Sequence, residues 1–421
     1  MLDKILKSYL SLPKNIHKLF FLEFSLSLIH VAFILILNIY LRKKGFSDPE
    51  IASLNSLRFI SALVFALPLG IFIRGKKLKP FFISSAIMVP LTSILIIQSI
   101  HFDVNSLIKF SFLLWGIGIM LMRVCSLPFI IRNTNSNNST EALSLIAATW
   151  SLSTIVSGLI ISGTSWMNNI FFVDVNYLDE QKVLLLITFL GLGGIYFALK
   201  IDERKPFYTE KFNFLDIHKN YDWNLIIKAI SPLIFISIGA GLTIPFVNLF
   251  FNSVFNLTSS QFSMMGSLTG ILVFLFSLSV PSLRKKFGYW MTIVIVQSIA
   301  ILCLVLMALT EIYVDYEFAL VVAILAYVLR QPLMHMAHPA SNELMMNYVG
   351  EKNQELISAL SSSLWSASWF FSAKIFEWLR LLNYNYYKIF LITALLYTIG
   401  VLLFSILIKD FDKRIILKSN S

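Results

Sequence analysis

The stretch Ile201–Asn224, "IDERKPFYTEKFNFLDIHKNYDWN", decides how the chain is read. It is the only long polar run in the middle of a 421-residue sequence that is 57% hydrophobic and 14% charged. The mean hydropathy is +0.77. A water-soluble domain cannot hide that much apolar surface, so the apolar residues face lipid. Crossing the hydrocarbon takes about 20 apolar residues. Six such runs precede the polar stretch, at 19–41, 51–73, 80–100, 106–131, 142–165 and 182–200. Six follow it, at 225–251, 260–283, 291–310, 317–345, 355–379 and 387–408. The expectation is an all-α integral membrane protein of twelve transmembrane helices in two pseudo-symmetric six-helix halves. The halves are 1–200 and 225–421, and 201–224 is a cytoplasmic central loop.

Charge supports this layout. The net charge of +11 sits in short loops, which is a topology signal and not a nucleic-acid surface. With twelve spans both termini share one side. That side collects 22 lysines and arginines in its loops and span ends against 6 on the other. It is therefore expected to be cytoplasmic, and the protein a multi-pass protein of the cytoplasmic membrane. The first span is too long for a signal-peptide core and lacks a small-residue cleavage site. Cys125 and Cys303 lie inside apolar runs and imply no disulfide or zinc framework. No phosphate-binding loop, His-Glu-x-x-His pair or Gly-x-Ser-x-Gly elbow is present, so neither ATP-driven pumping nor an enzyme is expected, and no cofactor.

The halves echo each other. "LNIYLRKKGFSDPEIASLNSL" (37–57) resembles "VNLFFNSVFNLTSSQFSMMGSL" (247–268), with Asn38 opposite Asn248 and Leu57 opposite Leu268. Pro128 then matches Pro339, and Glu141 matches Glu355. The offset stays between 210 and 214, as an internal repeat predicts.

Six plus six spans around a basic central loop resemble the major facilitator superfamily. Two loops add to the likeness. "LPLGIFIRGKKLKP" (67–80) resembles the family's Gly-x-x-x-Asp-Arg-x-Gly-basic-basic loop, with Gly70, Lys76 and Lys77 in register. Its repeat "VPSLRKKFGYW" (280–290) keeps Arg284, Lys285, Lys286 and Gly288. In the family this loop turns tightly and contacts neighbours that close the inner gate. Here the acidic position holds Arg74 in one half and Lys285 in the other, which departs from the family's Asp–Arg contact. The antiporter Gly-Pro pair, the peptide-transporter Glu-x-x-Glu-Arg motif and the sugar-porter signature are all missing. No subfamily is assigned.

Ionisable groups inside spans mark cavities, partners or the interface. Arg330 lies 13 residues into span ten, about 20 Å deep at 1.5 Å per residue, too far to snorkel easily. Arg123 lies in span four, the repeat partner of span ten. Two deep arginines on equivalent helices point to a positive central cavity. Glu23 in span one completes, with Arg123, an arrangement that the resemblance links to proton-coupled antiport. An acid whose burial and pairing change between inward and outward states binds and releases one proton per cycle. His30 lies seven residues beyond Glu23 on the same face and is a second proton candidate. His335 and His338 share a face of span ten but lack a third ligand, so no metal site is expected. Pro332 and Pro339 are expected to break that helix and free carbonyls into a cavity. Arg58 and Asn248 are further binding candidates, and Gly239, Gly241 and Pro245 are candidate bending points in span seven.

The predicted function is a proton-coupled secondary transporter of a small anionic or zwitterionic solute, working by alternating access as a monomer in the bilayer. The alternatives are a non-transporting receptor or scaffold of the same fold, or a drug or metabolite efflux facilitator.

Overall fold

The computed structural model describes residues 10–73, 76–134, 139–171, 178–203, 222–350 and 353–419. Arg74 and most of the central stretch lie outside the described residues, as does the side chain of Lys285. The described residues form helices and connecting turns, with no strand.

Helix α1 (Lys14–Ala32) runs through a π-helical turn, Phe33–Leu37, into α2 (Asn38–Lys43). Then come α3 (Asp48–Phe72), α4 (Lys79–His101), α5 (Asn105–Asn133) and α6 (Ser139–Phe171). The sixth crossing is α7 (Glu180–Gly191) with α8 (Gly193–Lys200). Helix α9 (Trp223–Thr243) passes through a 3-10 turn, Ile244–Phe246, into α10 (Val247–Phe255). Helix α11 (Ser259–Tyr289) leads through a second π turn, Trp290–Ile295, into α12 (Val296–Ile312). The last three are α13 (Phe318–Val349), α14 (Gln354–Leu381) and α15 (Tyr386–Ser419).

Among the described residues, eleven helical runs are long and apolar enough to cross a membrane. The remaining expected span is α14, 28 residues long, whose serines and tryptophans make it less apolar than the others. Capping side chains set some ends. Asp179 accepts the Lys182 N–H at the start of α7, and Asp222 accepts the Leu225 N–H at the start of α9. Asn256 closes α10 in the left-handed conformation, at φ 54°.

Two expected breaks are absent or displaced. Helix α13 is continuous through Pro332 and Pro339, because helices in lipid re-satisfy the carbonyls that a proline frees. Gly70 sits inside α3 with open space around it, so it is not the tight turn of its loop. Gly288 is a true turn, at φ 72° within α11, a conformation that favours glycine.

The chain divides into two compact units, Met1–Glu210 with Leu257–Ser267, and Lys211–Asn256 with Leu268–Ser421. In the first, α1 packs on α6 and on α7–α8, α4 packs on α5 and on α7–α8, and α3 packs on α5. In the second, α9 packs on α14 and α15, while α12 packs on α13 and α15. Four pairings thus recur with the repeat: first crossing on fifth and sixth, third on fourth and sixth.

The recurrence extends to hydrogen bonds. Ser153 and Ser157 of α6 donate to the Phe24 and Leu28 carbonyls of α1, at 3.3 and 3.1 Å. In the second unit Ser372 of α14 donates to the Ile238 carbonyl of α9 at 2.7 Å, and Ser237 bonds Ser368 at 2.7 Å. Without a hydrophobic force between helices in lipid, small residues and such bonds hold the crossings. Leu257–Ser267 is fastened within the first unit in the same way. Ser267 donates to the Ile155 carbonyl at 3.0 Å, Ser162 to that of Ser260 at 3.2 Å, and Ser259 to Glu180 at 2.9 Å.

At the end of α8, Asp202 and Glu203 tie three helices. Lys18 of α1 pairs with Asp202 at 2.8 Å, and this ammonium holds the Asp202 carboxyl below its usual range. The Glu203 carboxylate is 2% exposed and accepts the Leu78 and Lys79 N–H groups at the N-terminus of α4, at 2.6 and 3.0 Å. Arg132 of α5 lies 3.4 Å from it. Truncating Glu203 strands two helix N–H groups and leaves Arg132 only the Lys76 carbonyl among the described residues, so Glu203→Ala should cost about 3 kcal/mol of stability. Thermal unfolding in detergent checks this: a midpoint matching wild type would remove the role.

Candidate functional site

Each unit holds one cavity of interest. That of the first unit has an open volume of about 700 Å³ and is lined by α1, α5 and α6. Glu23, His30 and Arg123 all face it, together with Trp150. Spacing explains the convergence: Glu23 and His30 lie two turns apart on one face of α1. Ser126, one turn from Arg123 on α5, donates to the Glu23 carboxylate. Arg123 is exposed into the cavity. It acts on Glu23 electrostatically, yet no ion pair joins them among the described residues. The carboxyl and the guanidinium therefore share a cavity without direct contact in an ion pair among the described residues.

His30 is buried and lies between two indoles, its ring centroid 5.4 Å from Trp115 and 5.4 Å from Trp150. Behind Trp115 sits Arg58, 5% exposed, with its guanidinium 4.4 Å from the Phe59 ring and 5.3 Å from Trp115. Its Nε has no partner among the described residues. Helix α5 approaches α3 closely enough here that a Cβ on Gly116 would lie 2.3 Å from the Arg58 carbonyl oxygen.

The second unit's cavity has an open volume of about 630 Å³. Arg330, Gln331, His335, His338 and Asn342 reach it from α13. Gln297 of α12, Trp365 of α14 and Tyr397 and Phe404 of α15 also line it, with Ser341 of α13. Arg330 is 1% exposed. Its Nη2 donates to the Tyr397 hydroxyl at 3.1 Å, while its Nε and Nη1 have no partner among the described residues. The buried Gln297 Oε1 is also unpartnered, and no carboxylate is among the lining residues. A guanidinium in a membrane helix costs at least about 2.5 kcal/mol. Each buried donor left unmade adds about 1–3 kcal/mol. The cavity thus holds two unmade donors on Arg330 and one unmade acceptor on Gln297 among the described residues. His335 and His338 are exposed into the cavity, and His338 Nδ1 lies 3.3 Å from Asn342 Nδ2.

The remaining candidates lie elsewhere. Asn248 is buried in α10, its side chain accepting the Leu249 N–H at 2.8 Å, and it lines neither cavity. Pro245 forms the 3-10 turn beside it. Gly239 and Gly241 serve close packing, against Tyr397 and Ser372. In the loop motif, Lys76 lies against the Phe72 ring, and its carbonyl accepts Arg132 at 2.7 Å. Lys77 and Lys286 are exposed. Arg284 pairs with Glu343 at 2.7 Å and donates to Tyr289 at 2.7 Å. Lys374 and Glu377 of α14 form an ion pair at 2.7 Å, three residues apart, and line neither cavity.

Sequence reading missed Tyr397, Gln297 and Ser126. Gln297 was visible as a lone amide in the apolar run "IVIVQSIA", and Ser126 as the residue one turn from Arg123. Nothing in the sequence marks Tyr397, whose role depends on α15 meeting α13.

Comparisons with known proteins agree with this architecture. A family profile described as Major Facilitator Superfamily matches residues 19–373. No curated protein matches the chain in sequence. Among solved structures, a bacterial homologue of the human lysosomal transporter Spinster, inward-facing and unoccupied, is similar with a TM-score of 0.66 at 11% identity. That match covers 95% of this chain and 97% of the homologue. The nucleoside transporter NupG is similar with a TM-score of 0.69 at 14% identity, covering 94% of this chain and 100% of NupG. A POT family transporter in complex with a thioalcohol-conjugated peptide gives a TM-score of 0.70 at 14% identity, covering 97% and 99%.

Proposed function

Because the chain belongs to the major facilitator superfamily and is a membrane transporter, we propose that it moves a small anionic or zwitterionic solute across the cytoplasmic membrane by alternating access, coupled to protons. The observation that carries this reading is Arg330. A buried guanidinium with two unmade N–H donors, in a cavity whose lining includes no carboxylate, fits a negatively charged group of the solute. A permanent cation would be repelled. The protein works as a monomer with both termini cytoplasmic, as the loop charges predict. Uptake of radiolabelled solutes by proteoliposomes tests the proposal: organic anions or zwitterions should be carried and permanent cations should not. Transport of permanent cations would overturn the electrostatic reading, and binding without flux would make the protein a receptor.

Glu23 is the proposed proton carrier, since it shares a cavity with Arg123 without an ion pair to fix its charge. Glu23→Gln should keep solute exchange across the vesicle membrane but lose accumulation driven by a pH gradient. Accumulation at the wild-type level in this variant would remove Glu23 from the coupling.

A further inference from the structure

The cavity of the second unit has two chemically different ends. At one end lie Arg330 and Tyr397, joined by their hydrogen bond. Eight residues on along α13, about 12 Å of helix rise, His338 meets Trp365 with ring centroids 5.8 Å apart. Helix α15 repeats this polarity. By alternation of crossings it runs the same way as α13, and Phe404 follows Tyr397 by seven residues on the cavity side, about 10 Å further on. Helix α9 fixes the register from the opposite direction. Gly239 packs on Tyr397, while Ile236 packs on Gly400 and Leu233 lines the cavity beyond it. The Trp365 end therefore offers the indole, Phe404 and Leu233 beside His338, Ser341 and Asn342, and the Arg330 end carries the charge and the unmade donors.

A compact anion such as acetate fills one end and leaves the indole end empty. We infer that the solute is an elongated amphipathic anion, a carboxylate joined by a short aliphatic chain to an aromatic ring, with the carboxylate at Arg330 and the ring against Trp365. The inference rests on the anion reading proposed above and adds the ring and the length. The carboxylate takes the Arg330 N–H donors, and the ring replaces contact with water by contact with the indole and Phe404.

The test is equilibrium binding to the purified full-length protein in nanodiscs, with acetate, phenylbutyrate and phenylbutylamine as probes. Phenylbutyrate should bind about 10- to 100-fold more tightly than acetate, the gain expected for burying a phenyl ring. Trp365→Ala should remove most of that preference, and Trp365→Phe, which keeps a ring, should restore it. Arg330→Gln should weaken both acids by about 10- to 100-fold, the loss of charge-assisted bonds. Equal affinity for acetate and phenylbutyrate in wild type overturns the inference. So does a Trp365→Phe variant that behaves as Trp365→Ala, since Trp365 would then serve only packing. Phenylbutylamine binding as tightly as phenylbutyrate, or no binding of either acid, overturns the anion reading itself, which separates the two failures.

Discussion

Proteoliposomes carrying Arg330→Gln should lose anion uptake by about 10- to 100-fold, although the variant folds as well as wild type or better. The two halves of this expectation come from one geometry. Arg330 is 1% exposed and has, among the described residues, a single hydrogen-bond partner, the neutral Tyr397 hydroxyl, at 3.1 Å. Removing the charge removes a desolvation cost that nothing among the described residues offsets, so the unfolding temperature should hold or rise. The same change deletes the donors that an anion would use. Arg330→Lys sharpens the test, because an ammonium keeps the charge but not the planar fork, and uptake should recover only in part. Full uptake by Arg330→Gln would make the arginine a pin for the helix bundle, held by Tyr397. A large fall in unfolding temperature would point the same way.

The largest stability effect is expected at a glycine. A Cβ on Gly116 would stand 2.2 Å from Ser61 Oγ and 2.3 Å from the Arg58 carbonyl oxygen. The second of these is backbone and cannot rotate away. Helix α5 must move off α3 to admit any side chain, and tightly packed helices resist such movement. Gly116→Val should therefore cost about 3 kcal/mol or more, at the upper end of overpacking. Gly163, inside α6 of the same unit, has open space where a Cβ would go. Gly163→Ala should be neutral or gain up to about 1 kcal/mol from helix propensity. Denaturation of the two variants in one detergent decides the matter, and equal stabilities would mean that the α3–α5 crossing is looser than described. The Gly116 variant should also impair the first-unit cavity, because α3 carries Arg58 to the edge of the Trp115–His30 stack.

The crossings were legible because lipid imposes one requirement on every span, and a run of apolar residues meets it visibly. The polar stretch Ile201–Asn224 gave away the division into six and six. Arg330, Arg123 and Glu23 stood out because a charge is conspicuous in an apolar run. What the sequence does not encode locally is distance. Glu23 and Arg123 read as members of one arrangement whose pairing was open; they share a cavity, with no ion pair between them among the described residues. Glu203 was hidden, because its meaning lies in Arg132 and the start of α4, 71 and 124 residues away. The prolines of α13 misled for the opposite reason: a local rule predicts a break, and packing in lipid overrides it.

The π turns at Phe33–Leu37 and Trp290–Ile295 carry a consequence for the chain's history. A π turn holds one residue more than the α-helical register, so across each of them the helix face is offset by one residue. A single-residue deletion inside either turn should relax it to plain α-helix and leave the flanking faces where they are. The same deletion a few residues into α12 would rotate every later side chain by about 100°. Surviving length variation in the membrane-embedded part of the lineage is therefore expected to gather at these two turns.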